Sequence, residues 1–452
     1  MAPPSARLLV YIASEPFVAG RGRVIKETLA AEAAKRGASL IYVNNTGIQN
    51  KGKTVYIYDG GSVVFNGRGE KLFRLPAFAS GIVHSPIEMA EGTGPALGSK
   101  RPQTLSLSPE GREDSIGEIF GALRYGLKKF LAQIGVERVV IGASGGIDSA
   151  VNAALFGKVL QPEQLLLVNM PSRFNSRITR DSAAELAANL GCRYTVMPIQ
   201  ESVEYTVRQI EEGILTSSGP IEPTGLTVSQ ATAENIQARD RSARVLAGLA
   251  AAFGGGFTCN ANKSETTIGY STLYGDLSGF LAPLADLWKD QVYQLADYLN
   301  RQVYQREVIP QKSIEIRPSA ELSPAQAVEE GKGDPLHYPY HDYLFRAFME
   351  TPVRATPEDL LEWRLQGCLE ENIGCAPGLA GELFPAPEDF IADLERWWLL
   401  FTGLAVAKRI QSPPILSVSR RAYGADYQEA QNTPYFSARY QEMKARLLND
   451  LR

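Results

Sequence analysis

Short apolar runs alternate with amphipathic stretches through the middle of the chain. Residues 139–141, 165–169 and 194–197 form short apolar runs, which predicts strands buried on both faces. Residues 150–155 and 181–190 have the spacing of helices. Because strand and helix alternate, we expect an α/β fold with a doubly wound parallel sheet, whose ligands bind at the carboxyl ends of the strands.

The first part of the chain has a different pattern and predicts a separate small α+β unit at residues 1–80. Its expected elements are strands at 8–12, 40–43, 55–58 and 62–65 and a helix at 24–34. Asn66-Gly67 and Arg68-Gly69 mark a hairpin turn after the last of these strands. Residues 81–112 are rich in Gly, Pro and Ser and are expected to form a linker to a second domain at 113–452.

The second domain opens with an amphipathic stretch. Apolar residues between Ile116 and Leu131 recur with helical spacing, and we expect this helix to pack on the sheet that begins at Val139. The last hundred residues are also helical in pattern, with an apolar ridge at 397–401.

Composition narrows the class of protein. The 452 residues suffice for two or three domains, and 44% hydrophobic with 21% charged residues is typical of a globular chain. The net charge is -4 and no basic tract stands out, which argues against nucleic acid as the main partner.

The uncharged run 245–262 contains three consecutive glycines, so it predicts a helix, a turn and a strand, not a membrane span. No signal sequence opens the chain, and we expect a cytoplasmic protein.

Cysteines and histidines give no sign of a metal centre. The four cysteines form no CxxC pair, so reduced thiols are expected. His337 and His341 are four residues apart, but Pro339 between them is expected to break the helical geometry that a histidine metal site needs.

The strand at 139–141 runs directly into Ser144-Gly145-Gly146-Ile147-Asp148-Ser149 at the start of a helix. Glycines let the backbone approach an anion closely, and the first helical turn presents free N–H groups with partial positive charge. Ser144 and Ser149 add hydroxyl donors. Asp148 would repel a phosphate unless a cation lay between them, so its presence points to Mg²⁺.

The spacing differs from the two best-known phosphate loops. No Lys-Ser or Lys-Thr pair follows the glycines, as a Walker A loop requires, and the pattern is not Gly-x-Gly-x-x-Gly. Ser-Gly-Gly-x-Asp-Ser resembles the PP-loop of the ATP pyrophosphatases, which have an adenine nucleotide alpha hydrolase-like fold and cleave ATP between the α and β phosphates. The alternative is a glycine-rich turn of an ordinary α/β unit.

A second polar constellation lies downstream. It comprises Asn262-Lys263-Ser264-Glu265, then 269–276, and shortly afterwards Lys289. With the loop, these segments resemble NAD synthetase from about Ser115 to the C-terminus. The segments 170–173, 235–239 and 318–322 match further parts of that family in the same order.

The resemblance implies an ATP site and a dinucleotide site. The positions implied for ATP are Ser144, Gly145, Gly146, Asp148 and Ser149 at the pyrophosphate, Lys289 and Ser319 at the phosphates, and Met170 at the adenine. Asp148 and Glu265 would share Mg²⁺. The positions implied for nicotinate adenine dinucleotide are Asn235, Arg239, Tyr270, Asp276 and Arg317, in a site that the family completes across a homodimer. Asp148, Lys289 and Asp276 are the implied catalytic residues.

Two positions depart from the family pattern, and several residues have plainer interpretations. Arg317 stands where relatives often have Lys, and Ala261 where Gly is frequent. Without the resemblance, each of three residues has a structural explanation that needs no ligand. Glu265 is a favourable acidic residue at a helix N-terminus, Tyr270 could be a core residue, and Lys289 could be a solvated surface charge.

The implied chemistry is amidation of a carboxylate. A carboxylate resists attack by ammonia because its carbon is electron-rich and its oxygen leaves poorly. Adenylation by ATP removes this obstacle, and ammonia then displaces AMP. No covalent enzyme intermediate is required, so the lack of an evident Ser-His or Cys-His pair is consistent with this chemistry.

The N-terminal unit resembles the last third of the nitrilase-like glutaminase domain of glutamine-dependent NAD synthetases. The matching segments are 13–17, 42–44, Gly47-x-Gln49 and 58–62. Such glutaminases use a Glu-Lys-Cys set, but the first cysteine here is Cys192, inside the second domain. We therefore expect a truncated unit without glutaminase activity, and ammonia taken from solution or from a separate glutaminase.

Three alternatives remain open on the sequence. Another PP-loop amide ligase would keep the loop and change the downstream segments. A non-catalytic subunit could use the nitrilase-like unit to dock a separate glutaminase. The sequence could also derive from a truncated gene.

Overall fold

The computed structural model describes residues 6–84, 112–350, 354–422 and 435–449. The chain divides into two compact units, residues 1–134 with 416–422, and residues 135–415 with 423–452. Most of the predicted linker at 81–112 lies outside the described residues.

The first unit is a small α+β body. Its elements are β1 Leu8–Ala13, α1 Arg21–Arg36, β2 Ser39–Asn44, β3 Thr46–Lys51, β4 Thr54–Asp59, β5 Val63–Phe65, β6 Lys71–Arg74 and α2 Arg112–Ile134. One sheet has the order β1-β2-β5-β6, in which the first pair is parallel and the others antiparallel. The predicted hairpin between β5 and β6 is confirmed. Leu40, Tyr42, Val63 and Phe65 form the core under α1 with Ala33.

One strand of this unit was not predicted. The β3 sequence Thr-Gly-Ile-Gln-Asn-Lys contains a single large apolar residue and therefore gives no strand pattern. It forms because every residue of β3 has an antiparallel partner in β4. Pairing with a buried neighbour thus overrides local propensity.

The α2 helix belongs to the first unit, in contrast to our expectation that it packs on the sheet beginning at Val139. It contacts β3 and β4. A Cβ at Gly126 would lie 2.8 Å from Cδ1 of Ile57, so the glycine allows close approach of helix and strand. The apolar periodicity identified the helix but did not indicate which sheet it covers.

The second unit holds a four-stranded parallel sheet surrounded by helices. Its first elements are β7 Val139–Gly142, α3 Ile147–Phe156, β8 Leu165–Asn169, α4 Arg177–Leu190, β9 Arg193–Val196, α5 Gln200–Glu212, β10 Ile214–Leu215, β11 Thr224–Gly225, α6 Gln230–Arg239, a π-helical segment Asp240–Leu246, α7 Ala247–Phe253 and β12 Gly256–Phe257. The following elements are α8 Lys263–Ile268, α9 Lys289–Tyr298, a π-helical segment Leu299–Tyr304, α10 Gln311–Glu315, α11 Tyr338–Met349, α12 Pro357–Gln366, α13 Leu369–Ile373, α14 Leu379–Leu383, α15 Pro387–Thr402, α16 Leu404–Gln411 and α17 Ala438–Asn449. Short 3₁₀ turns lie at Pro162–Gln164, Pro324–Gln326 and Val328–Glu330.

The parallel sheet has the order β12-β7-β8-β9. The predicted strands in β7, β8 and β9 are confirmed, as is the helix, turn and strand pattern that ends in β12. Val139, Val140 and Ile141 are fully buried, as expected for a central parallel strand. Because all four strands are parallel, the loops that follow β7, β8 and β12 emerge at one edge of the sheet. The short strand β13 Ile415–Ser417, most of which belongs to the first unit, pairs with β4 of that unit in the order β13-β4-β3.

Our reason for dismissing the histidine pair was wrong. Pro339 occupies the first turn of α11, where proline is tolerated, and His337 stands at the N-cap position without a side-chain capping hydrogen bond. His341 is nevertheless unsuited to bind metal, because its Nδ1 accepts the His337 backbone N–H at 2.8 Å and its Nε2 lies 3.0 Å from Oδ2 of Asp393. Among the described residues, no group of three or more His, Cys, Asp and Glu side chains could hold a metal ion.

No helix in the described part of the chain has both the length and the apolar character needed to span a bilayer.

Candidate active site

The loop that follows β7 folds back on itself through its two serines. Oγ of Ser144 and Oγ of Ser149 are 3.1 Å apart, and the Gly146 N–H donates to Oγ of Ser144 at 3.2 Å. Asn260 donates to the carbonyl of Gly142 at 2.8 Å and so ties the end of β7 to the segment after β12. The loop is therefore shaped before any ligand arrives, and α3 begins directly behind it.

Glycine is required at one of the two glycine positions. Gly145 has φ 88°, and a Cβ on it would lie 2.0 Å from the carbonyl oxygen of Thr179. Gly146 is extended, and its Cβ would meet Oγ of Ser144 at an ordinary 3.4 Å. Crowding by the protein's own backbone is thus confined to Gly145, where the loop touches α4.

A buried lysine lies between two carboxylates beside this loop. Nζ of Lys289 is 2.5 Å from Oδ2 of Asp148 and 3.3 Å from Oε1 of Glu265. The side-chain amide of Asn262 donates to Oδ1 of Asp148 at 2.9 Å. Its side-chain oxygen, Oδ1, accepts the Glu265 N–H at 3.0 Å and caps α8. The first turns of α3, α8 and α9 therefore converge on one ionic cluster.

Burial decides the electrostatics of this cluster. Burial opposes the charge on Lys289, but Asp148 and Glu265 outweigh it, so the pKa of Lys289 lies above its usual value. Burial raises the pKa of Glu265 to about 8 even though Lys289 acts to lower it. The surface-charge interpretation of Lys289 is wrong, since its side chain is 3% exposed.

A second layer of polar groups surrounds Asp334, which sequence reasoning did not identify. Tyr270 and Tyr338 donate to its two carboxylate oxygens at 3.1 and 3.2 Å. Gln326 donates to the Tyr270 hydroxyl at 3.0 Å. The Tyr338 hydroxyl also lies 3.5 Å from Oε1 of Glu265, and the Lys289 ammonium is 5.0 Å from the Tyr338 ring centre. Asp334 and Tyr338 thus extend the ionic cluster. Their segment, at the start of α11, contained no motif that could have marked them.

The predicted ATP residues outside the loop connect to it. A Cβ on Gly142 would lie 3.1 Å from Cε of Met170, so this methionine covers the end of β7. Oγ of Ser319 accepts the backbone N–H of Glu321 at 3.2 Å. The buried Glu321 carboxylate in turn accepts the hydroxyl of Thr179 at 2.8 Å, and Thr179 is the residue against which Gly145 packs.

The positions predicted for the dinucleotide are less tightly grouped. Asn235 accepts the Thr272 hydroxyl at 2.8 Å, and Oδ1 of Asp276 accepts the Thr272 N–H at 2.5 Å. Arg239 and Arg317 are exposed and donate to the carbonyls of Leu273 and Gly331, respectively. Arg317 also lines a cleft of about 310 Å³ that includes Asp334 and Tyr338. The Asp276 carboxylate accepts within its own loop and the Asp276 carbonyl accepts the Cys259 thiol at 3.2 Å, whereas the Tyr270 hydroxyl reaches Asp334.

The donor set suits a magnesium ion. Asp148 and Glu265 bring two carboxylates together, each with one oxygen on the Lys289 ammonium, so a metal ion would bind beside Nζ and not at the point that Nζ occupies. Mg²⁺ prefers oxygen ligands and commonly takes one or two protein carboxylates together with nucleotide phosphates and water. The chemistry of the two carboxylates therefore fits the predicted ion.

These features define an α/β domain of the PP-loop class, with a phosphate loop and an ionic cluster at the carboxyl edge of a parallel sheet. The chain belongs to the NAD synthase family, whose model, described as NAD synthase, matches residues 119–362.

Relatives support the same assignment. The chain is 32% identical over 336 residues to a glutamine-dependent NAD(+) synthetase of Rhodobacter capsulatus, an alignment that covers 73% of this chain and 57% of the relative. It is 30% identical over 421 residues to a protein of the same name from Xylella fastidiosa, covering 93% of this chain and 67% of the relative. The chain thus spans between about half and two thirds of the length of the relatives it matches.

Solved structures agree. Glutamine-dependent NAD+ synthetase from Acinetobacter baumannii, in complex with ADP, superposes with a TM-score of 0.55 at 25% identity, covering 93% of this chain and 67% of that one. The enzyme from Cytophaga hutchinsonii gives a TM-score of 0.68 at 16% identity, covering 99% and 74%, and supports the fold.

Replacing Gly145 by Ala tests the loop geometry. The added methyl would clash with the Thr179 carbonyl and hold a strained positive φ, so we expect a loss of unfolding free energy of about 2 kcal/mol and weaker ATP binding. Gly191→Ala is the matched control, because its φ is 66° but nothing lies within 4 Å of the Cβ position. Denaturant unfolding and calorimetric ATP titration measure the two effects. Equal behaviour of the two variants would contradict the assigned contact.

Proposed function

We propose that the chain catalyses the last step of NAD formation, the ATP-dependent amidation of nicotinate adenine dinucleotide. The observation that carries this proposal is the Lys289 ammonium, held between Asp148 and Glu265 beside the Ser144–Ser149 loop. Family membership and the names of the relatives support it. The products would be NAD, AMP and pyrophosphate.

The first step would be adenylation. An oxygen of the nicotinate carboxylate forms a bond to the α-phosphorus of ATP while the bond to the bridging oxygen breaks and pyrophosphate leaves. N–H groups of the first turn of α3, which has no side-chain cap, would stabilise the charge on the departing phosphates together with the Lys289 ammonium. Mg²⁺ held by Asp148 and Glu265 would supply further positive charge to the phosphates when bound.

The second step would be amide formation. The nitrogen of ammonia attacks the acyl carbon, AMP leaves with the electron pair of the broken C–O bond, and the nitrogen loses a proton. Tyr270, Asp334 and Tyr338 extend from the ionic cluster toward the cleft that Arg317 lines, and this is where we place the nicotinate end of the dinucleotide. Asn235, Arg239 and Asp276 would complete that site in a homodimer.

The nitrogen donor of the second step is either ammonia or glutamine. The relatives are named glutamine-dependent, which does not confirm our expectation of ammonia. We propose that this chain itself takes ammonia, because its first cysteine is Cys192 and a thiol nucleophile is absent from the nitrilase-like unit. Burial raises the pKa of Cys192 to about 11, of Cys259 to about 12 and of Cys375 to about 11, so these thiols are poor nucleophiles. A separate glutaminase could supply the ammonia.

Asp148→Asn tests the assignment of the ionic cluster. The amide cannot neutralise Lys289 or bind Mg²⁺ as a carboxylate does, so we expect pyrophosphate release to fall by at least about 100-fold. Asp297→Asn removes a carboxylate from the exposed face of α9 and serves as the control, with turnover unchanged. A coupled pyrophosphate assay provides the measurement, and unchanged turnover in Asp148→Asn would defeat the proposed role.

The nitrogen donor is tested by NAD formation from nicotinate adenine dinucleotide and ATP with either ammonium or glutamine. The purified chain should be active with ammonium and inactive with glutamine. Adding an independent glutaminase should restore activity with glutamine, because it releases ammonia into solution. Full activity of the chain alone with glutamine would overturn the ammonia proposal.

A chloroketone analogue of glutamine tests the thiols directly. At pH 7.5 the thiols of Cys192, Cys259 and Cys375 remain protonated, so we expect no stoichiometric adduct on these three cysteines in a peptide mass map and no loss of ammonium-dependent activity. The same reagent on a cysteine glutaminase provides the positive control. Rapid stoichiometric labelling of one cysteine, with selective loss of glutamine use, would identify a glutaminase site in this chain.

A further inference from the structure

The α9 helix, which carries Lys289 in its first turn, caps only part of its own N-terminus. Trp288 occupies the capping position, and an indole has no oxygen that could accept the first N–H groups. Gln291 accepts the Trp288 N–H at 3.0 Å, and Asp290 accepts the Gln291 N–H at 2.8 Å. The N–H groups of Lys289 and Asp290 find their acceptors on two other helices.

Ser264 and Asp342 supply this cap. The Lys289 N–H donates to Oγ of Ser264 at 3.0 Å, and the Asp290 N–H donates to Oδ2 of Asp342 at 3.1 Å. The Ser264 hydroxyl in turn donates to Oδ1 of Asp342 at 2.5 Å. One carboxylate on α11 therefore binds α8 and the start of α9 at once, and it is only 1% exposed.

The bonded residues are immediate neighbours of the ionic cluster. Ser264 precedes Glu265 in α8, and the Lys289 whose backbone Ser264 holds is the lysine whose ammonium contacts Glu265. Asp342 lies one helical turn after Tyr338, which also contacts Glu265. A shift of any of these helices would change the separation of Lys289 from both carboxylates.

We propose that Asp342 is a positioning residue, which through Ser264 and the first N–H groups of α9 fixes the Lys289 ammonium between Asp148 and Glu265. The Asp342 carboxylate faces the N-terminus of α9, which favours its ionised form, whereas burial raises its pKa to about 6. The effect on turnover rests on the proposed function, whereas the effect on ATP binding does not require NAD formation.

The test compares Asp342→Ala, Asp342→Asn and Ser264→Ala with Asp393→Asn. Asp393 is the matched control, because it accepts hydrogen bonds inside the same unit from the buried His341 and Trp397, away from the ionic cluster. Each variant is measured for thermal midpoint, ATP dissociation constant and kcat for pyrophosphate release.

For Asp342→Ala and Ser264→Ala we expect kcat to fall by about 10-fold or more and ATP binding to weaken about 3- to 10-fold, since the lysine loses its alignment. The double variant should be no worse than the single ones, because both break one chain of hydrogen bonds. Asp342→Asn keeps one acceptor and should recover part of the loss. Asp393→Asn should lower the thermal midpoint with kcat and ATP binding unchanged.

The outcomes separate the two proposals. Unchanged ATP binding and kcat in Asp342→Ala and Ser264→Ala, or an equal loss in Asp393→Asn, would overturn the positioning role. If Asp342→Ala does not fold, Ser264→Ala and Asp342→Asn decide the question. If the wild-type chain binds ATP but makes no NAD, the proposed function fails, and the ATP dissociation constants of the variants still decide the role of Asp342.

Discussion

The buried ammonium of Lys289 is the constraint on which the rest of the second unit depends. An isolated charge in a protein interior is very costly, and Asp148 and Glu265 offset that cost only from within hydrogen-bonding distance. Removing one partner of such a group typically costs about 3–5 kcal/mol, so the three side chains are retained together or lost together. Their shared position fixes the relative placement of α3, α8 and α9. Those helices carry the phosphate loop, the Asn-Lys-Ser-Glu segment and the lysine itself.

The sheet explains why distant segments meet at this point. With the strand order β12-β7-β8-β9 all parallel, the loops after β7 and β12 emerge side by side, although more than a hundred residues separate them. Asn152 of α3 donates to the side-chain oxygen of Asn260 at 2.7 Å and so joins this helix to the segment after β12. Gly145 packs against Thr179, and Thr179 binds Glu321, so the segment after α10 is held to the same edge. Four segments of the chain thus meet at the site because they all lie at the carboxyl edge of the parallel sheet.

A second ionic layer stabilises α8 from behind. Lys263 is fully buried and lies 3.0 Å from Oδ1 of Asp286, and it also contacts Glu350. Its neighbours Asn262 and Glu265 face the opposite way, toward Asp148 and Lys289. Lys263 therefore anchors α8 on one side, while Asn262 and Glu265 contact the ionic cluster on the other. This division explains why Asn262, Lys263 and Ser264 can be fully buried while the Glu265 side chain is 19% exposed.

The sequence by itself determined the parallel strands, the phosphate loop, and the family to which the chain belongs. These follow from local apolar runs and from short motifs whose chemistry is nearly complete within a few residues. Only the tertiary structure decided that Lys289 is buried, that Asp334 and Tyr338 join the cluster, that β3 is a strand, and that α2 packs within the first unit. Each of these features depends on a partner that is far away in the sequence. Hydrophobic periodicity shows whether a face of a helix or strand is apolar or polar, but it does not show which other element packs against that face. Asp342 is the clearest case, because a single aspartate in a helix gives no signal until its two hydrogen-bonding partners are brought to it.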